Sequence, residues 1–593
     1  MRRRIKEIVV EAVEVLYGQT IEPDIVQVQR TLKTFTGDLT IVVFPFVKIA
    51  RKKPEDVGND IGLYLKNKLD NVSSYNVIKG FLNLTFNSEY WLERLNLLHR
   101  DFNGSLTLNS PEKIMVEFSS PNTNKPLHLG HIRNNLIGDS VSRILKAAGH
   151  EVVRVNLVND RGIHICKSMQ AYLDFDPNGS PEKAGMKGDK YVGDLYVKFD
   201  LQYKGQIADL VELGNSEDDA KQKAPIMQAA KSMLQKWEAG DADVHALWEK
   251  MNNWVYAGFD KTYDRLGITF DQVYHESETY KSGREIVLDG LKRDVFYKRD
   301  DGSIWSDLTD DKLDEKIVLR ADGTSLYMTQ DIGTAVARFE NYQLDRHIYV
   351  VGNEQNYHFQ VLRLILSKLG YAWADKIQHM SYGMVELPEG KMKSREGKVV
   401  DADDLIEEMI SNSAEMSREL GKLGDLPESE QENVHRMIAL GALKYFILKV
   451  DPKKQMVFNP KESIDFNGHT GPFIQYTHAR IRSVVRKAAK MNIKVPFMIS
   501  EDTIMNENEL DLIKTIDQFE LVLQEAAQLL DPGMIANYAY ELAKDFNHYY
   551  HDYSILKAQE GKILQTRLFL ADQVSKNLKY AMALLGIEVP EKM

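Results

Sequence analysis

The sequence predicts an α/β protein: a doubly wound parallel sheet in the middle of the chain, an α+β unit before it and an all-α bundle after it. Three observations carry this prediction. Residues 113–158 read strand, helix, strand at lengths that demand a parallel pair joined by a crossover helix. A second alternation of the same kind follows at about 325–387, split from the first by a polar helical stretch. Beyond about residue 400, apolar residues recur at helical spacing almost to the last residue. A chain of 593 residues exceeds one hydrophobic core, and about three to five domains are expected.

Taken in order, residues 1–105 form the first unit. It opens on MRRRIKEIVVEAVEVLYG, whose apolar runs are broken by Glu7, Glu11 and Glu14; this reads as an amphipathic helix and fails as a signal peptide. Strands are expected in LTIVVFPFV and GFLNLTF around the helix PEDVGNDIGLYLKNKL, and the polar stretch 101–112 is a linker. Strand KIMVEF (113–118) then leads through a Ser-, Pro- and Asn-rich loop into a helix from about Gly130 to Ala148. Ile132, Leu136, Ile137, Val141, Ile144 and Leu145 form its apolar stripe, Gly149 stops it, and EVVRVNLV (151–158) is the next strand. The polar segment at about 178–300 is an insertion. After it come strand SLYMTQ (325–330), helix DIGTAVARFE, strand DRHIYVVG (345–352), helix FQVLRLILSKLG and strand HMSYGMVEL. The predicted organisation is a Rossmann-type core over 106–400, connecting helices over 401–465 and a helical bundle over 466–593.

Composition narrows the function classes. Hydrophobic and charged fractions of 43% and 27% are those of an ordinary globular protein, and no uninterrupted apolar stretch is long enough to span a bilayer, so no membrane partner is expected. A single cysteine, Cys166, excludes an internal disulfide and any multi-thiolate zinc site, and points to a reducing, cytoplasmic compartment. A net charge of -12 argues against indiscriminate nucleic-acid binding but leaves room for one local basic face.

Two segments bear chemistry. In SSPNTNKPLHLGHIR (119–133), His128 and His131 flank Gly130 at the head of a helix, where free backbone N–H groups and the helix dipole favour phosphate. Gly130 lets a flat adenine or ribose lie against the backbone, and imidazoles can donate hydrogen bonds as phosphate charge shifts. The competing readings are a metal pair or two capping histidines; a bare H-x-x-H lacks the glutamate of H-E-x-x-H. In EGKMKSREGKVV (389–400), Lys391, Lys393, Ser394 and Arg395 lie between Gly390 and Gly397, a cationic loop suited to a triphosphate, although such loops are often simply solvated.

Together, HLGH at the first strand-to-helix turn and KMKSR after the last sheet strand resemble the two signatures of class I aminoacyl-tRNA synthetases. Over essentially the whole chain the resemblance is to arginyl-tRNA synthetases, through EFSSPNTNKPLHLGHIRN, NDRGIHICK, LYMTQDIGTA, HTGPFIQYTHARIRSVVRK and LLGIEVPEKM. The resemblance implies ATP-dependent attachment of L-arginine to tRNA(Arg) through an arginyl-adenylate, with Mg2+ accompanying ATP and no zinc. It implies His128, His131, Lys125 and Lys391 as catalytic residues, and Gly130, Met392, Lys393, Ser394 and Arg395 around the nucleotide. The second signature departs from K-M-S-K-S, since Ser394 stands where the second lysine belongs. In arginyl enzymes with this loop degraded, a lysine just ahead of the first signature takes over, and Lys125 holds that place.

A guanidinium offers donors and no acceptors, so its pocket should present carboxylates and other oxygens. Glu117 and Asp331 stand at predicted strand ends, although a solvated glutamate and a helix-capping aspartate are the plainer readings. The resemblance implies Glu117, Tyr327 and Asp331 around the guanidinium, Asn122 and Gln355 on the amino acid's amine and carboxylate, and Ser119 beside them. On the RNA side, HARIRSVVRKAAKMNIK carries Arg480, Arg482, Arg486, Lys487 and Lys490, and HYYHDY (548–553) includes Tyr550. A basic face and stacking aromatics suit an anticodon stem-loop; solvation and helix packing are the alternatives. The resemblance implies anticodon binding by the C-terminal bundle, a tRNA-elbow contact by the N-terminal unit, and action as a monomer.

Overall fold

A computed structural model describes every residue except 32–33, 102–105, 109, 324–325, 389–399, 420–426, 501–502 and 559–560. The chain divides into two compact units, one comprising 1–103, 481–520 and 542–577, the other 104–480, 521–541 and 578–593.

In the first unit, β1 (Val28–Arg30), β2 (Leu39–Val42), β3 (Val72–Ile78) and β4 (Phe81–Phe86) form an antiparallel sheet in the order β1-β2-β4-β3. Lys79 and Gly80, both at positive φ (52° and 78°), make the tight turn between β3 and β4. The expected strand LTIVVFPFV ends early: β2 stops at Val42, and Phe44–Ala50 is a helix with proline in its first turn, where a missing N–H costs nothing. Helices Arg2–Tyr17 and Pro54–Lys68 supply Ile5, Val9, Ile61 and Leu65 to the core. Helix Glu507–Asp517 lies against helix Ser88–Asp101, with Arg94 paired to Asp517 at 2.6 Å and Lys514 to Asp38 at 3.0 Å.

In the second unit, β5 (Lys113–Glu117), β6 (Glu151–Val158) and β7 (Gln272–His275) are followed by β8 (Tyr297–Lys298), β9 (Ile304–Ser306) and β10 (Lys316–Leu319), which make a separate antiparallel sheet. β11 (Arg346–Gly352) and β12 (Ile377–Tyr382) complete a five-stranded sheet, ordered β12-β11-β5-β6-β7 and parallel throughout. Ile114, Met115 and Val116 are fully buried, as a strand covered on both faces requires. The strand order reverses beside β5, so the crevice at the carboxyl ends of β5 and β11 is the place where such sheets take ligands. β13 (Val385–Glu386) and β14 (Met456–Val457) form a short parallel pair.

The doubly wound core is present, with two corrections. β7 lies inside the span read as an insertion and is the edge strand of the sheet. The described part of SLYMTQ, residues 326–330, is not a strand: helix Tyr327–Tyr342 already begins within it, and Met328, Ile332, Ala335, Val336 and Phe339 form one continuous buried stripe. The backbone N–H of Leu326 donates to Thr329 Oγ1 at 3.0 Å, which caps the helix start. The second strand–helix–strand unit is therefore β11, helix Asn356–Lys368 and β12. After residue 400 the described chain is helical apart from β14 and short connections, and no described helix is long and apolar enough to cross a membrane.

Candidate active site

β5 ends at Glu117, and the chain turns through Ser119 and Ser120, both in the left-handed region at φ 79° and 45°. Such backbone persists only where surroundings hold it. Here the Ser119 N–H donates to Asn134 Oδ1 at 2.5 Å and the Ser120 N–H to Asn156 Oδ1 at 3.0 Å. Ser119 Oγ lies 2.7 Å from the Tyr263 hydroxyl, and the Asn122 backbone bridges Asn159. Ser119 is buried, whereas Asn122 is exposed at the mouth of the turn.

The loop then enters helix Leu129–Ala147, with His128 as its N-cap. The Gly130 N–H donates to His128 Nδ1 at 3.1 Å, and the His128 N–H donates to His131 Nδ1 at 3.1 Å. The capping reading thus holds, and it does not compete with a chemical role. An imidazole that accepts at Nδ1 carries its proton on Nε2, so both rings keep a donor for a ligand. Burial, helped by the nearby Lys125 ammonium, lowers His128 to about 4, and burial with His128 and Lys125 lowers His131 well below 6.5. Both rings are neutral donors at physiological pH. A Cβ on Gly130 would stand 3.0 Å from the His128 ring, so the glycine leaves room for that ring.

A cleft of about 410 Å³ opens beside this cap, lined by Asn122, Lys125 and His128 on one side and by Lys190, Asp194 and Tyr196 on the other. The chain that follows 389–399 returns to the same place. Leu129 N–H donates to Val400 O at 3.3 Å and Ala402 N–H to Leu127 O at 2.9 Å. The next residue, Asp403, pairs with Lys187 and, at 2.9 Å, with Arg265. Lys391, Met392, Lys393, Ser394 and Arg395 themselves lie outside the described residues.

The amino-acid candidates gather along the same sheet edge. Glu117 Oε2 is bound by the guanidinium of Arg338, and both side chains are buried. Burial pushes the Glu117 carboxyl up while the Arg338 guanidinium pulls it back. The residue expected to meet a substrate guanidinium thus already holds one belonging to its own chain. Tyr327 is the first residue of its helix and 73% exposed. Asp331, one turn on, accepts from His358 Nε2 at 2.6 Å. Gln355 ends the short turn after β11 and is exposed.

One acidic residue went unnoticed in the sequence. Glu276 follows β7, is nearly buried, accepts from Gln330 Nε2 at 3.3 Å, and is raised by burial with Asp160 and Asp331 adding to it. Its only signal was position at a strand end, and that strand was hidden in the polar insertion. Among the described residues, no group of three His, Cys, Asp or Glu side chains is placed to hold a metal ion.

The RNA candidates lie on two late helices. Arg480 stacks over Tyr476 at 4.7 Å, and Arg486 is part-exposed on the same helix. Arg482, counted with the basic face, is paired to Asp572 at 3.2 Å. In HYYHDY, Tyr549 is buried and donates to Glu509 at 3.0 Å, which is helix packing, while Tyr550 stacks on Phe546 and stays partly exposed.

Comparison with known proteins agrees along the whole chain. Family models match for "Arginyl tRNA synthetase N terminal domain" over 3–86, "tRNA synthetases class I (R), catalytic domain" over 95–459 and "DALR anticodon binding domain" over 474–593. The chain is 55% identical over 588 residues to an arginine–tRNA ligase of Bacteroides thetaiotaomicron, covering 99% of this chain and 98% of that one. A counterpart of Porphyromonas gingivalis is 53% identical over 585 residues, with 98% of each covered. Among solved structures, Thermus thermophilus arginyl-tRNA synthetase superposes with a TM-score of 0.82 at 25% identity, each chain covered completely.

Proposed function

The chain belongs to the class I arginyl-tRNA synthetases, and from that premise we propose how its own residues join L-arginine to tRNA(Arg). The enzyme consumes ATP to activate arginine and passes the arginyl group to tRNA for protein synthesis. A carboxylate oxygen of arginine attacks the α-phosphorus, forming the adenylate and expelling pyrophosphate. The terminal ribose hydroxyl of tRNA, the 2′ position in this class, then attacks the arginyl carbonyl and AMP leaves. Neither step calls for a nucleophilic side chain, so catalysis rests on positioning and charge stabilisation.

In this reading His128 and His131 donate Nε2–H to the α-phosphate, Gly130 admits the nucleoside, and Lys125 supplies positive charge. Lys391, with Met392, Lys393, Ser394 and Arg395, completes the phosphate site on the strength of sequence alone. Magnesium arrives with the ATP phosphates. Asp331, Tyr327 and Glu117 receive the guanidinium, with Glu276 adding negative potential. Asn122 and Gln355 take the amine and carboxylate, and Ser119 braces the turn that presents Asn122. Arg480, Arg486 and Tyr550 face the anticodon arm from the 466–593 bundle, 401–465 connects it to the 106–400 core, and 1–105 meets the tRNA elbow. The enzyme acts as a monomer in the cytoplasm.

One observation carries this reading: the histidine-capped helix and the acidic cluster around Asp331 share the carboxyl edge of one parallel sheet. ATP–pyrophosphate exchange with each of the twenty amino acids, with and without tRNA(Arg), tests it. Exchange is expected with arginine alone and only when tRNA is present; exchange driven by another amino acid overturns the assignment.

A further inference from the structure

The carboxylates at the amino-acid end of the site differ in what already balances them. Glu117 is held by the fixed charge of Arg338. Glu276 lies within the field of the Arg161 guanidinium. Among the described residues no lysine or arginine pairs with Asp331; its partner is His358, whose Nε2 stands 2.6 Å from Oδ2. Its other oxygen, Oδ1, makes no hydrogen bond among the described residues, and the two side chains remain 30% and 23% exposed. Both come from the N-terminal ends of helices at the sheet's carboxyl edge, Asp331 one turn into Tyr327–Tyr342 and His358 in the first turn of Asn356–Lys368, three residues beyond Gln355.

Aiming one carboxylate oxygen at a guanidinium N–H requires the plane of the receiving carboxylate to be fixed. An imidazole can fix it with one N–H and bring no permanent charge; an arginine or lysine in its place would bring a standing cation. Resting on the arginine-activating reading above, we propose that His358 is a positioning residue for arginine: it clamps Oδ2 of Asp331, presents Oδ1 to the substrate guanidinium, and leaves the aspartate's charge free of a fixed counter-ion. The three carboxylates thereby divide the work. Glu117 and Glu276 shape a polar wall with cations beside them, and Asp331 is the acid whose charge the substrate itself balances.

Steady-state pyrophosphate exchange by the full-length enzyme with tRNA(Arg) tests this through the split between KM and kcat. His358→Ala is expected to raise KM for arginine about tenfold, with KM for ATP and kcat within about twofold. His358→Gln, whose amide N–H reaches the place of Nε2, should stay within about threefold of the parent. His358→Lys should be worst, raising KM for arginine by about thirtyfold or more, because its ammonium takes Asp331 as a salt bridge. Equal KM values for H358K and H358Q overturn the proposal, as does a loss in H358A and H358Q that falls equally on kcat and both KM values. A parent enzyme inactive on arginine defeats the functional reading itself, whereas an active parent with indifferent variants defeats only the role of His358.

Discussion

Glu117 and Arg338 meet where solvent reaches neither, with side-chain exposures of 8% and 2%. Two charges removed from water gain stability together only because each answers the other, and removing one alone leaves an uncompensated charge. Arg338 also carries buried Nε and Nη2 groups without hydrogen-bond partners in the structure, while its guanidinium lies 4.7 Å from the Tyr274 ring centre. Arg338→Met is therefore expected to cost about 3–5 kcal/mol. The double change with Glu117→Gln should cost clearly less than the sum of the two single changes. Urea unfolding of the four proteins in a double-mutant cycle measures this, and additive costs would show that the pair is not coupled. Glu117 was legible from the sequence as a carboxylate at a strand end. Its partner was not, because 221 residues separate the two and nothing local announces the contact. His128 and His131 were legible as residues of a helix head, since that place follows from the apolar period behind them.

Among the elements, helix Tyr327–Tyr342 has the most to deliver, since it carries Tyr327, Asp331 and Arg338. Its position is set by an unusually close crossing with helix Ser282–Lys292. A Cβ on Gly333 would stand 2.2 Å from the Gly283 nitrogen, and one on Gly283 would stand 1.6 Å from Thr329 O. Gly333→Ala must push the helices apart, at about 1–3 kcal/mol of stability, and displaces Asp331 two residues away. With arginine assigned to Asp331 and ATP to the helix that His128 caps, as proposed above, KM for arginine should rise more than KM for ATP; equal rises would show that the crossing does not aim the aspartate. This helix start was misread as a strand because LYM is a short apolar run, which strand and helix share, and only the longer stripe from Met328 to Phe339 settles it. β7 escaped for the opposite reason: Gln272–His275 is four residues long with two exposed positions, so it shows neither apolar run nor alternation. The Leu129–Ala147 helix, with five full turns of stripe, was unmistakable.

At the scale of the whole chain, strand–helix alternation foretold the parallel sheet, whereas contacts closing the chain upon itself left no trace in any local window. The C-terminal tail is such a contact. Within the second unit, side chains from three helices seize its backbone: Ser140 Oγ donates to Leu584 O at 2.9 Å, Lys444 Nζ to Gly586 O at 2.5 Å, and Gln475 Nε2 to Glu588 O at 2.7 Å. Lys444 also donates to Leu266 O at 2.6 Å, at the end of helix Ala242–Leu266, so a single ammonium joins the tail to that helix. Ser140 belongs to the helix that His128 caps, so the tail is tied to that helix as well. Burial lowers Lys444 to about 8 from 10.5, which means the unfolded chain holds the proton more tightly than the folded one. Stability contributed by this group therefore rises as pH increases from about 8 to 10.5, and is withheld below that window. Lys444→Met removes the ammonium and leaves the buried Leu266 carbonyl and the part-buried Gly586 carbonyl without this donor, at about 1–3 kcal/mol for the buried one. The variant should melt at lower temperature than the parent at pH 7.5, and the gap should widen toward pH 10, since only the parent gains from deprotonation. Thermal unfolding at both pH values decides it: a gap that narrows as pH rises would mean that Lys444 is not desolvated at the tail, and that another contact holds it.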